Sequence, residues 1–243
     1  MEVLGIDIGG NSIKANIVDI ATGALKAERF SIPTPHPADL AAIQTTLETI
    51  INHYDWSGPI GVGFPGVIRE NVVKTAPNLD DSVIGLNLED ALLDLGAFEG
   101  SAINEADAAG IAEMKFGAGR NKKGTVLMAT IGTGLGTALF YNSALVPNME
   151  FGHAEFRGNE AESTLSERAR IRLDLSWETW GTDLGAFLEY LRDLLSVDTI
   201  IIGGGGAHQS EHYKQYLTIN CEYTFAHYGD EAGIIGAALA VDY

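Results

Sequence analysis

Two glycine-rich turns, one in each half of the chain, have the composition of a phosphate-binding turn. Residues 9–12 (Gly-Gly-Asn-Ser) follow an apolar run at 3–8, and residues 132–136 (Gly-Thr-Gly-Leu-Gly) follow an apolar run at 126–131. Because glycine has no Cβ atom, backbone N–H groups in such turns can surround an anion. A single turn of this kind more often closes a tight hairpin, but its presence in both halves favours phosphate binding. Neither turn continues as a Walker loop or has the spacing of a dinucleotide-binding fingerprint.

Asp7 lies inside the first apolar run, next to the first glycine turn. A buried carboxylate is costly unless it has partners, and a hydrated Mg²⁺ ion beside a phosphate would be one. The alternative is an aspartate that caps the turn. We predict that Asp7 binds Mg²⁺ through water.

A first polar cluster, Asn104-Glu105-Ala106-Asp107, follows an apolar run and opens an alanine-rich segment. Ligands of α/β proteins bind at strand ends, where asparagine can donate and accept hydrogen bonds and a carboxylate can take a hydroxyl proton. The pattern alone favours a helix N-cap followed by acidic residues in the first turn.

A second polar cluster, Glu150-Phe151-Gly152-His153-Ala154-Glu155, suits a ligand with several hydroxyl groups. Zinc is the rival ligand for His153. We expect no zinc site, because a lone histidine with two nearby acids is a poor one and Cys221, the only cysteine, is distant in sequence. The other histidines have no metal-binding spacing.

The elements around these residues follow an α/β pattern. Helical periodicity begins at Leu40 and recurs from Leu184 to Leu195, and a helix of small residues is predicted at 232–238. Apolar runs predict strands at 3–8, 13–18, 24–32, 60–64, 101–103, 126–131, 138–141 and 198–202. Since strand, glycine turn and strand recur in order, we predict two related halves that divide near residues 105–120.

Composition limits the class of protein. The chain has 243 residues and a net charge of −18, from 15 basic and 33 acidic residues, which argues against a nucleic-acid partner. One cysteine excludes a disulfide framework. No apolar run reaches the roughly 18 residues of a membrane span, and the N-terminus lacks the pattern of a signal peptide. We therefore expect a soluble cytoplasmic protein with no membrane partner.

In this order, these features resemble the sugar-kinase branch of the ROK family (repressors, open reading frames and kinases), and within it the polyphosphate glucokinase group. The similar segments span the whole chain. They are residues 7–10, 63–67, 76–79, 103–110, 131–136, 147–155, 175–178, 201–205 and 232–238.

The resemblance implies an actin-like (ribonuclease H-like) ATPase fold with two related α/β domains and a cleft between them. Residues 1–110 would carry the first phosphate loop and the sugar-side residues, and residues 111–243 the second phosphate loop and the nucleotide side. It also implies phosphoryl transfer from polyphosphate or ATP to the C6 hydroxyl of glucose or a related hexose, with Mg²⁺, in a homodimer.

Individual roles follow from the same resemblance. Glu105 would be the general base, and the sugar would be held by Asn104, Glu150, His153 and Glu155. Phosphate or nucleotide would contact Asp7, Gly9, Gly10, Asn11, Lys14, Thr133, Gly134, Gly203, Gly204, Gly205 and Gly233.

Three departures from the family pattern bear on activity. The family has Asp at the position of Glu105, and a carboxylate displaced by roughly 1 Å can cost about 100-fold in rate. Asp107 is no substitute, because a helix turns by about 200° over two residues. Asn11-Ser12 replaces the usual Thr or Ser followed by Gly, and the cysteine-rich zinc motif is missing, as in polyphosphate glucokinases.

These departures leave one alternative function, a weakly active or inactive homologue that binds sugar. The family's repressors carry an N-terminal DNA-binding domain, whereas this sequence begins in its first strand, so we do not expect a regulator.

Eight of the 15 basic residues fall into two local sets. They are Lys115, Arg120, Lys122 and Lys123 in the first, and Arg157, Arg168, Arg170 and Arg172 in the second. If the sets meet at one rim of the cleft, they form a track for polyphosphate. The alternative is that they balance nearby acids.

Overall fold

The computed structural model describes residues 1–242, which form two compact units. The first unit contains residues 1–112 and the C-terminal segment from Glu231, and the second contains residues 113–230. The predicted domains divide at 110/111, close to the observed 112/113. The C-terminal segment differs from the prediction, because it belongs to the first unit rather than the second.

The elements in chain order are β1 (Glu2–Ile8), β2 (Ser12–Asp19), β3 (Ala24–Leu25), β4 (Phe30–Pro33), α1 (Leu40–His53), β5 (Ile60–Phe64), β6 (Ile68–Arg69), β7 (Val72–Val73), α2 (Leu88–Asp94), β8 (Gly100–Asn104), α3 (Glu105–Phe116), β9 (Thr125–Ile131), β10 (Leu135–Tyr141), β11 (Ala144–Val146), β12 (Glu155–Phe156), β13 (Asn159–Glu160), α4 (Ala161–Leu165), α5 (Glu167–Arg172), α6 (Trp177–Leu195), β14 (Thr199–Gly203), α7 (Ser210–Tyr213), β15 (Glu222–Phe225) and α8 (Ala232–Leu239). None of the helices within residues 1–242 is long and apolar enough to cross a membrane.

The sheet of the first unit has the order β3-β2-β1-β5-β8, with β4 also paired to β2. β1 runs antiparallel to β2 and parallel to β5, and β5 runs parallel to β8. Helix α1 begins after Asp39, whose side chain accepts a hydrogen bond from the N–H of Ala42. Its apolar stripe, including Ile43, Leu47 and Ile50, is buried in the core of this unit.

The strand predicted over 24–32 is wrong in its extent. The segment forms two short strands, β3 and β4, with an irregular stretch between them. In this stretch the side chain of Asn16 donates to the carbonyl of Ala27 at 3.0 Å and accepts from its N–H at 3.1 Å. The side-chain amide of Asn16 thus takes the place of the backbone hydrogen bonds that a neighbouring strand would make to Ala27. The alternation of apolar residues in the sequence cannot indicate such a contact.

Helix α8 packs on the sheet of the first unit with almost no space between backbones. A Cβ atom on Gly61 would collide with the carbonyl oxygen of Ala237, and one on Gly236 would collide with that of Ala108. The predicted close packing of a small-residue helix is confirmed. It also explains why the C-terminal segment belongs to the first unit.

We expect Gly236→Ala to lower the free energy of unfolding by about 3 kcal/mol, because an added methyl group here has no room. Denaturant unfolding followed by circular dichroism measures this. Gly132→Ala is the matched control, since a Cβ at Gly132 meets no atom within 4 Å. Equal stability of the two variants would contradict the packing described for α8.

The sheet of the second unit has the order β11-β10-β9-β14-β15. β9 is antiparallel to β10 and parallel to β14, which repeats the arrangement of β1 with β2 and β5. The predicted repeat of strand, glycine turn and strand is therefore present in both units. Helix α6 begins after Ser176, whose hydroxyl accepts from the N–H of Thr179 at 3.0 Å. Its buried side chains cover one side of this sheet, and they include Trp180, Leu184, Phe187, Leu188 and Leu191.

Candidate active site

Polar side chains of the first unit gather at the carboxyl ends of its parallel strands. The strand register places Asp7 beside Gly63 and Phe64 beside Asn104. A Cβ atom on Gly63 would lie 3.6 Å from the Cα atom of Glu105 and 3.7 Å from Oδ1 of Asp7. The structure therefore brings Asp7, Asn104 and Glu105 to one edge of the sheet, where α/β proteins bind ligands.

The carboxylate of Asp7 lies against the first turn of α8. A Cβ atom on Gly233 would be 2.7 Å from Cγ of Asp7 and within 2.9 Å of both carboxylate oxygens. Only glycine leaves room for the carboxylate here, and the partial positive charge at the beginning of a helix stabilises an anion. Across the β1–β2 ladder, Asp7 is opposite Lys14. Three of the predicted phosphate-side residues, Asp7, Lys14 and Gly233, thus belong to one arrangement.

The first glycine turn is held by hydrogen bonds within its own backbone and by Thr34, the residue that follows β4. The N–H of Gly9 donates to the carbonyl of Ser12 at 3.1 Å. Thr34 is buried; its hydroxyl donates to the carbonyl of Gly9 at 2.6 Å and its N–H donates to that of Asn11 at 3.1 Å. Thr34 was not predicted from the sequence, because only the pairing of β4 with β2 brings it to the turn.

Asn104 is the N-cap of α3, the structural alternative considered from the sequence. Its Oδ1 accepts from the N–H groups of Ala106 at 2.8 Å and Asp107 at 3.1 Å. Its Nδ2 donates to the carbonyl of Gly66 at 3.1 Å. Asn104 therefore holds the beginning of α3, and with it Glu105, against the segment that follows β5.

Glu105 and Asp107 differ in their access to a substrate. Asp107 is completely buried, whereas Glu105 is partly exposed at the edge of the sheet. The structure agrees with the helix geometry that made Asp107 a poor substitute for a base at position 105.

In the second unit, the second glycine turn packs against a carboxylate and against another glycine run. Oε2 of Glu162 accepts from the N–H of Leu135 at 2.9 Å, and a Cβ atom on Gly134 would lie 2.5 Å from the same oxygen. Gly204 has a φ of +72°, and a Cβ atom there would lie 2.6 Å from the carbonyl oxygen of Ile131. Of the predicted residues, Gly134 therefore packs against Glu162, and Gly204 packs against Ile131, the residue that precedes the second glycine turn. Glu162 is a further residue of this region, and it was not predicted from the sequence.

The segment from Glu150 to Glu155 is anchored on β10. Thr137 is buried; its hydroxyl bonds to the carbonyl of Met149 and accepts from the N–H of Phe151 at 3.0 Å. A Cβ atom on Gly152 would collide with the carbonyl oxygen of Leu135, so the short 3₁₀ helix at 151–153 requires glycine there.

His153 lies between two carboxylates. Its Nδ1 is 2.5 Å from Oε1 of Glu160, and its Nε2 is 3.8 Å from Oε2 of Glu150. Burial by itself lowers the pKa of His153, but Glu160, Glu150 and Glu162 together outweigh burial and raise the pKa above its ordinary value. Glu155 is exposed on β12, opposite Glu160 in the register of the β12–β13 hairpin. Glu160 was not among the predicted residues.

Several of the basic residues already have partners within the second unit. Lys122 forms an ion pair with Glu222, Arg157 pairs with Asp183 at 2.5 Å, and the guanidinium of Arg170 stacks 3.7 Å from the ring centre of Trp177. The alternative that these residues balance nearby acids therefore fits Lys122 and Arg157. Arg168 is exposed at the beginning of α5, and its N–H donates to the carbonyl of Gly132 at 3.3 Å. Arg168 of the second set therefore lies beside the second glycine turn.

Comparison with known proteins identifies the family. The ROK family model matches residues 3–162. The chain is 39% identical over 237 residues to the polyphosphate glucokinase of Mycobacterium tuberculosis (strain H37Rv), covering 97% of this chain and 89% of that protein.

Solved structures agree. The inorganic polyphosphate/ATP-glucomannokinase from Arthrobacter sp. strain KM matches with a TM-score of 0.95 and 38% identity, over 99% of this chain and 98% of the other. A ROK family glucokinase from Streptomyces griseus, solved with glucose and AMPPNP, has the same fold, with a TM-score of 0.86 and 23% identity over the whole of both chains. The fold is the actin-like ATPase fold expected from the resemblance. With a family model that covers most of its length and relatives this similar, the chain belongs to the ROK family.

Proposed function

We propose that this protein is a glucokinase that transfers a phosphoryl group from inorganic polyphosphate or ATP to the C6 hydroxyl of glucose. The observation that carries the proposal is the position of Glu105, a partly exposed carboxylate at the start of α3 and at the same sheet edge as Asp7. The similarity to polyphosphate glucokinases and to a polyphosphate/ATP-glucomannokinase supports the choice of donor and acceptor.

In the proposed mechanism, the carboxylate of Glu105 accepts the C6 hydroxyl proton while the hydroxyl oxygen attacks the terminal phosphorus of the donor. The bond from that phosphorus to the bridging oxygen breaks, and the shortened donor leaves with the bond's electrons. Glu105 then returns its proton to solvent. Catalysis of this kind depends mainly on positioning and on charge stabilisation.

We assign the phosphate contacts to the two glycine turns and their neighbours. In the first unit these are Gly9, Gly10, Asn11 and Lys14. In the second unit they are Thr133 and Gly134, while residues 203–205 would face the nucleotide when ATP is the donor. Gly233 would act with the first unit, since it makes room for the carboxylate of Asp7.

Asp7 fits the Mg²⁺ ion that phosphoryl transfer requires. Its carboxylate is half-buried in a space that only the missing Cβ of Gly233 leaves open. Magnesium sites with bound phosphate often use one or two carboxylates, with water and phosphate oxygens as the remaining ligands. When bound, Mg²⁺ would neutralise charge on the donor phosphates. Asp7 would hold it through water, and the start of α8 would keep the carboxylate in place.

We assign the sugar contacts to Asn104 in the first unit and to Glu150, His153 and Glu155 in the second. Carboxylate, imidazole and amide groups together supply both donors and acceptors, as a hexose requires. The similarity to a glucomannokinase makes mannose a second hexose to test.

A coupled assay for glucose 6-phosphate, with polyphosphate and ATP supplied separately, tests the proposal directly. We expect product with each donor. Binding of glucose without product from either donor would instead support the alternative, a sugar-binding homologue that has lost activity.

A further prediction concerns the donor. A long polyphosphate needs basic residues outside the phosphate turns, and its binding should weaken as salt rises. Arg168 is exposed, and its backbone N–H is bonded to the carbonyl of Gly132. By analogy with proteins that bind phosphate backbones, we expect Arg168→Glu to raise the KM for polyphosphate about 10-fold at low salt. The KM for ATP should change little.

Lys123→Glu makes the same charge reversal at an exposed residue of the first basic set and serves as the matched control. Equal effects of Arg168→Glu on the two donors, or no effect on either, would contradict a polyphosphate track along α5. A stronger effect of Lys123→Glu would assign the track to the first set instead.

A further inference from the structure

The ring of His153 is held by a residue that lies outside the segment from Glu150 to Glu155. Glu160 reaches it through the short β12–β13 hairpin, in which Glu160 pairs with Glu155. Oε1 of Glu160 lies 2.5 Å from Nδ1 of His153. The backbone carbonyl of Glu160 accepts from the hydroxyl of Ser163 at 2.6 Å, which fixes the junction between β13 and α4.

The chemistry of this contact determines which nitrogen of His153 carries a hydrogen. An ionised carboxylate only accepts hydrogen bonds, so Nδ1 must be the donor toward Glu160 whether the ring is neutral or charged. The nitrogen whose state changes is then Nε2, which accepts when the ring is neutral and donates when it is protonated. Nε2 lies 3.8 Å from Oε2 of Glu150.

We propose that Glu160 is a positioning residue for the sugar site: it fixes the orientation and tautomer of His153 so that Nε2, beside Glu150, is the atom that contacts a hydroxyl group of the hexose. This inference rests on the proposed glucokinase function. It follows the general rule that a functional histidine is oriented by the group bonded to its other ring nitrogen.

The charges around His153 give the inference a pH signature. The carboxylates that act on it are those of Glu160, Glu150 and Glu162, and they favour the protonated ring against the effect of burial. The folded-state pKa is therefore raised. The extra stabilisation of the charged ring is fully present below the ordinary pKa of histidine, about 6.5, and is lost as the pH rises through the raised value.

Glu160→Gln tests the inference, because glutamine has the same length but can both donate and accept. In ¹⁵N NMR spectra of the histidine rings over a pH series, we expect the parent to show the Nδ1–H tautomer of His153 and a pKa above the ordinary value. In Glu160→Gln we expect a lower pKa and a mixture of tautomers. In the same variant, the KM for glucose should rise about 10-fold, or about 1.4 kcal/mol, while kcat and the KM for the donor change by less than about 3-fold.

The matched control is Glu211→Gln, which removes the carboxylate of another exposed ion pair, 2.5 Å from Nζ of Lys214, and should leave both readouts unchanged. An unchanged tautomer and pKa of His153 in Glu160→Gln would overturn the inference, and so would an unchanged KM for glucose. A parent that makes no glucose 6-phosphate would defeat the proposed function instead. In that case the NMR comparison would still support or overturn the link between Glu160 and His153.

Discussion

Glu105→Gln is expected to reduce kcat by at least about 100-fold, because general-base catalysis contributes about 10² to 10⁴. Glutamine keeps the length and polarity of the side chain but cannot take a proton from the C6 hydroxyl. The KM for glucose should stay close to that of the parent, since Glu105 acts on the reacting hydroxyl while other residues bind the sugar. Steady-state kinetics with saturating donor separates the two parameters.

Glu105→Asp is the matched variant, since it keeps the carboxylate and restores the residue usual in the family. We expect it to be at least as active as the parent. Asp107 offers no alternative base, because it is completely buried one residue beyond Ala106 in α3. A Glu105→Gln variant with the kcat of the parent would refute the assignment of Glu105 as the base.

The second large effect is expected at the sugar contacts. His153→Ala should raise the KM for glucose by about 5- to 150-fold, because an unpaired polar partner costs about 1–3 kcal/mol. Its kcat should fall much less. His53→Ala is a suitable control, because His53 is an exposed histidine at the end of α1 whose ring stacks on Phe30.

Asn104→Ala should raise the same KM but also lower the melting temperature and kcat. The difference arises because Asn104 caps α3 and so holds Glu105 in place. Asn104→Asp separates these effects, since aspartate can still cap the helix but cannot donate to the carbonyl of Gly66. If both alanine variants bind glucose as the parent does, the sugar contacts lie elsewhere.

Local sequence was sufficient for most of the elements that position the candidate site. The apolar runs at 3–8, 60–64 and 126–131 coincide with β1, β5 and β9, and the periodicity from Leu40 coincides with α1. These patterns are reliable because the buried face of a helix and the buried faces of a strand each require a characteristic spacing of apolar residues. The same patterns placed Asp7 inside the first strand and Asn104 and Glu105 directly after another, and the register of parallel strands then brought these residues to one edge.

Sequence reasoning failed where a partner comes from another element. Thr34 at the first glycine turn, Glu162 at the second, and Asn16 at Ala27 are single polar residues with no local periodicity. Their contacts depend on which strand pairs with which and in what register. The same holds for the C-terminal segment. It belongs to the first unit because α8 packs closely against Gly61 and because its own Gly236 packs against Ala108.

The sequence by itself therefore determined the α/β class, both glycine turns, the family resemblance and the residue types available for chemistry. The tertiary structure alone decided the partners of those residues. It placed the carboxylate of Asp7 against Gly233, bonded the side-chain amide of Asn104 to the carbonyl of Gly66, paired Lys122 with Glu222 and set Glu160 on Nδ1 of His153. The physical reason is that a hydrogen bond or ion pair forms only when the distance between two side chains is correct to within a few tenths of an ångström. For side chains far apart in sequence, only the packed sheets and helices fix that distance.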